Sequence, residues 1–241
     1  PQDDLLTQPL PGAFEALPGP GSVLSGKYRL LRALGSGGFG SVYEAEQLPL
    51  GLRVAIKLLN QASLNNAKVR ERFLTEARMV AKLRSPHVVT LQDFAVTPQG
   101  IPYLVMELLR GEDLGRALCR GVLPARRSVR IVAQVCEALG EAHAAGIVHR
   151  DVKPENVVLI QRPSHLGLVN PAPALEPGDV AEDFVKMVDF GVAKFVNNQA
   201  RASAVLGTPA YVAPEMLAGE ALDGRSDLYA VGIMLWEMIC G

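Results

Sequence analysis

The sequence predicts an α+β fold in two parts, an antiparallel five-stranded sheet with one helix followed by a mainly helical remainder. Three observations carry that expectation. Short runs of β-branched, aromatic and aliphatic residues, set apart by glycine and proline turns, dominate positions 28–108. From Pro124 onward the apolar residues recur instead at three and four positions, the period of a helix face. Between Ile147-Val148 and Val157-Val158-Leu159-Ile160 stands a polar octet, His149-Arg-Asp-Val-Lys-Pro-Glu-Asn156. Polar residues bracketed by strand-like steps sit at the lip of a buried sheet, on a loop held still by its flanks.

Taken in order, positions 1–27 carry Pro9, Pro11, Pro18 and Pro20 among Gly12, Gly19, Gly21 and Gly26, a composition suited to a flexible leader. Order is expected from Tyr28. Strands over 28–34, 41–48 and 53–59 read as a meander. A helix over 67–83 follows, with Phe73, Ala77, Val80 and Leu83 as its stripe, and then strands over 88–96 and 102–108. In the next helix Val129, Val132, Ala133, Cys136, Leu139, Gly140 and His143 keep the 3-and-4 spacing, with Gly146 as its cap. Strands over 157–160 and 184–188 should be joined by a short hairpin loop, yet 161–183 intervenes with Pro163, Pro171, Pro173 and Pro177. That segment reads as a solvent-exposed insertion. The apolar run 228–236 reads as a buried helix, with Asp227 as a candidate N-cap.

A chain of 241 residues holds one large domain or two small ones, and a net charge of −1 gives no reason to expect nucleic acid or an anionic membrane as partner. Cys119, Cys136 and Cys240 are odd in number and lack a Cys-x-x-Cys pair, which argues against a disulfide framework or structural zinc and fits a reducing cytoplasm. Cys136 is expected as a buried core thiol. No apolar run approaches the roughly 20 residues that span a bilayer. The sequence starts at Pro1 and stops at Gly241 directly after an apolar helix, so it reads as a fragment. A membrane anchor would then lie outside it, and residues 1–241 alone are expected to be poorly stable or incomplete as an enzyme.

The chemistry-bearing motifs follow one another. Gly35-Ser36-Gly37-Gly38-Phe39-Gly40 fits G-x-G-x-x-G, and the residues after it pattern as a strand. A dinucleotide fold would place a helix there, and a P-loop would need a lysine where Ser41 stands. In Val54-Ala55-Ile56-Lys57 strand alternation puts Ala55 and Lys57 on one face. Glu76 falls inside the apolar stripe of the 67–83 helix, where an unpaired carboxylate costs several kcal/mol, so it calls for a cation. Lys57 is the candidate, with surface pairing to Arg72 the alternative. Asp151, Lys153 and Asn156 offer a base, a cation and an amide oxygen within six residues. Asp189-Phe190-Gly191 adds a carboxylate, suited with Asn156 to a hard cation.

In this order, and with Gly207-Thr208-Pro209-Ala210-Tyr211-Val212-Ala213-Pro214-Glu215 behind them, these motifs resemble those of protein kinases, specifically the bacterial, eukaryotic-like serine/threonine type. The resemblance implies a two-lobe fold with an N-lobe over 28–108, a hinge over 107–112 and a partial C-lobe over 113–241. It implies ATP and Mg²⁺, with Mn²⁺ as the alternative ion, and protein substrates bearing serine or threonine. Leu34, the glycine loop, Val42, Ala55 and Val158 would then surround the nucleotide, with Lys57 on its α- and β-phosphates. Met106 would be the gatekeeper, the Glu107 carbonyl and Leu109 amide would hold the adenine edge, and Glu112 would reach the ribose. Asp151 would accept the substrate proton, Lys153 would neutralise the transferring phosphoryl group, and Asn156 and Asp189 would bind the metal. Phe190 would pack on the Glu76 helix. Lys153 and Thr208 match serine/threonine rather than tyrosine kinases. Arg150 implies a basic pocket that a phosphate could fill, with Ser203 the candidate autophosphorylation site. Asp227 would bind backbone amides of the catalytic loop, and Glu215 would pair with an arginine beyond Gly241. A pseudokinase scaffold is the alternative from another class; it usually lacks one of the equivalents of Lys57, Asp151, Asn156 and Asp189, all present here.

Overall fold

Strands must find partners for their backbone groups, and those of the first hundred-odd positions find them mostly in sequence order. The computed structural model describes residues 17–38, 40–161, 183–190 and 209–241. Strands β1 (Val23–Leu24), β2 (Tyr28–Ser36), β3 (Gly40–Gln47), β4 (Leu52–Leu59), β5 (Leu91–Val96) and β6 (Pro102–Glu107) form one antiparallel sheet, ordered β1-β2-β3-β4-β6-β5. The five expected strands are all there, and β1 makes a sixth. Val23 and Leu24 pair with Arg29 and Tyr28, so the ladder starts upstream of Tyr28. Two residues have no period to read; burial of Leu24 is what fixes them.

On β4 the side chains of Val54, Ile56 and Leu58 enter the core with Leu30, Ala45, Tyr103 and Val105. Helices α1 (Gln61–Leu64) and α2 (Ala67–Val80) close that core with Leu64, Val69, Phe73 and Ala77. α1 is a single turn and escapes any periodicity reading. Asn60 caps it by accepting from the Ser63 amide at 2.8 Å, and Asn66 caps α2 through Lys68 and Val69. The strand expected over 88–96 begins only at Leu91, because Val88 bridges Met187 instead.

The described chain divides into two compact units. The first holds the sheet and helices just given, up to Lys82 and over Val89–Leu108; the second holds Leu83–Val88 and the chain from Leu109 onward. In the second, β7 (Glu112–Asp113), β8 (Val157–Gln161) and β9 (Asp183–Met187) form a small antiparallel sheet. Its last pair is Gln161↔Asp183, so the insertion is tied off at that rung. Residues 162–182 lie outside the described residues.

Helices α3 (Leu114–Leu118), α4 (Ala125–Ala144), α5 (Pro214–Ala218) and α6 (Gly224–Cys240) complete this unit. α4 buries Ser128, Ile131, Val135, Ala138, Leu139 and Ala142. Of the expected stripe Leu139 is buried, but the rest is out of phase: Val129 is 57% exposed and Cys136 only half-buried. Both series are apolar at 3-and-4 spacing, and only packing chooses between them. Gly146, at φ +75°, follows the helix in the left-handed region as expected. One side chain of α4 replaces a strand neighbour. Gln134 accepts from the Val185 amide at 3.0 Å and donates to the Asp183 carbonyl at 3.1 Å, while Arg127 grips the Asp183 carboxylate at 2.6 and 3.0 Å. α6 is not wholly buried: Met234 and Met238 are, but Trp236 is 60% exposed. No helix among the described residues is long and apolar enough to cross a membrane.

Candidate active site

The loop after α4 is fixed by one carboxylate. Asp227, in the first turn of α6 and 1% exposed, accepts from the His149 and Arg150 amides, both at 2.8 Å, and from His143 Nε2 at 2.8 Å. Its expected role toward the loop holds. Its role as helix cap does not: Asp223 is the N-cap, accepting from the Arg225 amide at 2.9 Å. Two adjacent amides can aim at one carboxylate only if the chain turns sharply, and Arg150 adopts φ +65°.

His149 sits beneath the loop, fully buried, its ring 4.5 Å from that of Phe190. The Asp151 amide donates to its Nδ1 at 3.3 Å, so Nε2 carries the proton and donates to the Val188 carbonyl at 3.2 Å. Burial holds this histidine below its ordinary pKa, despite the opposing pull of Asp227. It is a neutral strut.

On this support the three candidate groups converge. Lys153 Nζ lies 3.1 Å from the Asp151 carboxylate. A 3-10 turn, Pro154–Asn156, brings Asn156 back so that its Nδ2 donates to the Asp151 carbonyl at 2.7 Å and carboxylate at 3.3 Å. That commitment leaves the amide oxygen of Asn156 as its donor to a cation. The Val188 amide bonds the Asn156 carbonyl at 3.0 Å, which sets Asp189, at φ +54°, one residue past that link. Oxygens of Asn156 and Asp189 are of the hard kind that a divalent cation would take as ligands.

The first unit carries the residues expected to hold the nucleotide. Gly35 pairs with Val42 and Ser36 with Ser41, and the Gly37 amide donates to the Gly40 carbonyl at 2.8 Å, closing the tip. A Cβ on Gly40 would stand 2.0 Å from the Leu58 carbonyl oxygen, so close strand approach requires glycine there. A Cβ on Gly35 or Gly37 would meet nothing among the described residues within 4 Å, so no described contact demands glycine at either position. Val42 pairs with Lys57, Ala55 with Met106 and Val54 with Glu107, so five expected nucleotide residues lie on or opposite positions 54–57 of β4. Leu34 lies on β2. The Glu107 carboxylate accepts from the Thr90 amide at 2.7 Å, and the Glu107 amide donates to the Thr90 carbonyl at 3.0 Å.

Of the other expected residues, Leu109 and Val158 are half-buried in the second unit, Val158 pairing with Lys186 and Asp113. Glu112 is held by Arg120 in a two-point ion pair at 2.5 and 2.6 Å, and that hydrogen bond keeps its carboxyl below the usual range. Glu215 accepts from the Ser226 hydroxyl at 2.6 Å. Burial, and then the hydrogen bond that Tyr211 donates to the Glu237 carboxylate, push its phenol pKa up. Glu76 lies on α2, but its side chain, like Phe39, Gly191, Ser203 and Thr208, falls outside the described residues. Sequence reasoning missed His143 and Asn60 as partners of the motif loops; neither stands inside a motif, so no local signal marks them.

The fold and this loop define the class. The protein kinase domain model matches residues 28–241, and the chain belongs to the protein kinase domain family. Its relatives are bacterial serine/threonine kinases. Serine/threonine-protein kinase pkn3 of Myxococcus xanthus is 38% identical over 228 residues, which cover 92% of this chain and 39% of that protein. Serine/threonine-protein kinase A of Synechocystis is 38% identical over 232 residues, covering 91% and 41%. The crystal structure of the Mycobacterium tuberculosis PknI kinase domain matches with a TM-score of 0.67 at 29% identity, covering 93% of this chain and 77% of that one. The chain thus spans about two fifths of the length of these two curated relatives. Kinases of this family use ATP and a divalent cation in general, and transfer phosphate to protein hydroxyls.

Proposed function

We propose that this domain transfers the γ-phosphate of ATP to serine or threonine hydroxyls of proteins. The observation that carries the reading is the convergence of Lys153 and Asn156 on Asp151, above a loop pinned by Asp227. Asp151 accepts the hydroxyl proton as the oxygen bonds to the γ-phosphorus and the bond from that phosphorus to the β,γ-bridging oxygen breaks, with ADP as the leaving group. Lys153, already beside that carboxylate, offsets charge on the equatorial oxygens of the transferring group. Asn156 and Asp189 hold Mg²⁺, or Mn²⁺ in its place, and the ion supplies charge neutralisation between the phosphates. Lys57 grips the α- and β-phosphates and Glu76 orients Lys57, while the open space at Gly35 and Gly37 supports a phosphate under the loop.

The adenine lies against Leu34, Val42 and Ala55 of the first unit, next to Met106, with its edge on the Glu107 carbonyl. Glu112 reaches the ribose only by giving up part of its pair with Arg120. Thr208 selects a serine or threonine acceptor, and Ser203 is an autophosphorylation site whose phosphate Arg150 receives. The domain acts in the cytoplasm. The test is phosphate transfer from ATP to a generic basic protein by wild type and Asp151→Asn. Transfer should fall at least about a thousandfold in the variant while ATP still binds. Equal transfer by both would remove Asp151 from the chemistry, and none by wild type would leave a nucleotide-binding scaffold.

A further inference from the structure

We infer that Asn60 is a positioning residue for the glycine loop, holding its tip in the conformation that receives the nucleotide phosphates. This rests on the reading of residues 35–40 as the phosphate-binding loop. Asn60 follows directly on β4, whose last residue, Leu59, pairs with Gly40 at the base of the loop. From there Asn60 Nδ2 donates to the Gly38 carbonyl at 2.7 Å. The β3–β4 ladder therefore continues one step past its end, with a side-chain amide in place of a backbone one.

The same amide plane is fixed at its other end. Asn60 Oδ1 accepts from the Ser63 amide at 2.8 Å and so starts α1. One planar group cannot turn without breaking both bonds. α1 in its turn is anchored, because Leu64 is completely buried and its carbonyl accepts from Arg70 of α2 at 2.5 Å. The tip of the loop is thus tied through Asn60 to the packed helices of the first unit, and among the described residues its own turn is closed by the Gly37–Gly40 bond.

Among the residues that cap a helix almost equally well, only asparagine adds an N–H donor. That difference allows a clean test. Asn60→Ser keeps an acceptor for the Ser63 amide, is uncharged near the phosphates, and is too short to reach Gly38. Wild type and Asn60→Ser would be compared for ATP KM, kcat, Tm and amide hydrogen exchange without nucleotide. The expected result is an ATP KM raised about threefold to tenfold with kcat and Tm little changed. Exchange should quicken at residues 36–38 and stay unchanged at 61–64. An unchanged KM overturns the inference, and so does a raised KM accompanied by a lower Tm and faster exchange at 61–64, which would make Asn60 a helix cap only. Asn60→Thr, a second uncharged cap, must reproduce the serine result. Lys57→Met separates the two levels: if wild type and Lys57→Met bind ATP equally, the phosphate-site reading itself fails and this inference falls with it.

Discussion

Replacing Asp227 with asparagine changes one atom and almost no volume, yet it strikes the support of the whole catalytic loop. The carboxylate takes three N–H donors at 2.8 Å, two on Oδ2 from His143 and His149 and one on Oδ1 from Arg150. An amide has only one acceptor oxygen. Placed toward His143 and His149, it leaves its own NH₂ against the Arg150 amide, donor to donor. One buried N–H then goes unsatisfied, at about 1–3 kcal/mol, and the other two bonds lose their charge assistance, at about 1 kcal/mol each. The sum is about 3–5 kcal/mol, in line with breaking one side of a buried charged network. For a domain of this size that corresponds to a Tm lower by roughly 10 °C. The bond lost is also the one that holds Arg150 at φ +65°, a conformation that costs about 1–3 kcal/mol when unsupported. With that constraint gone the neighbouring Asp151 should shift, and a displacement of an ångström lowers kcat about a hundredfold. Thermal unfolding and steady-state phosphotransfer on the same preparations provide the assay, with Asp223→Ala as a control that removes an exposed cap and its exposed ion pair with Arg225. A Tm within about 2 °C of wild type, together with kcat within about threefold, would refute the reasoning.

Two further expectations come from the same structure. Gly40→Ala drives a Cβ to 2.0 Å from the Leu58 carbonyl and should destabilise the sheet by about 1–3 kcal/mol, whereas Gly35→Ala meets open space and should act mainly on ATP KM; equal losses of Tm in the two variants would contradict this division. Stability should also depend on pH through His149, whose folded pKa is held down by burial. Above about pH 6.5, the ordinary histidine value, the ring is neutral in both states and its contribution is complete. As pH falls below that value the unfolded chain takes up a proton that the buried ring refuses, so stability declines toward the lowered folded pKa. Denaturant midpoints measured from about pH 8 to 5 should show a shallower acid slope for His149→Phe than for wild type, and identical slopes would count against a buried neutral ring.

Much of the site was legible because kinase chemistry uses residues close in sequence. Asp151, Lys153 and Asn156 lie within one loop, and the 3-10 turn that starts at Pro154 brings Asn156 back onto Asp151. Strand alternation likewise separated Ala55 and Lys57 from the core side chains Val54, Ile56 and Leu58. The phase of α4 was not legible, since two overlapping 3-and-4 series are both apolar and only the second unit's packing buries Ile131 and Val135 rather than Val129. β1 and α1 were too short to show a period at all. At the start of α6 both Asp223 and Asp227 could serve as cap; burial and three donors drew Asp227 to the loop and left Asp223 to the helix.

What the sequence determined by itself was the class of fold, and it brought forward the groups proposed to react, because local period and short-range spacing are properties of the chain alone. Tertiary structure decided which face each helix buries, which carboxylate meets which amide, and that an asparagine beyond the motifs reaches the glycine loop. Those outcomes depend on partners that fold together from distant positions, where a polar group is satisfied by whichever donor or acceptor the packing delivers to it.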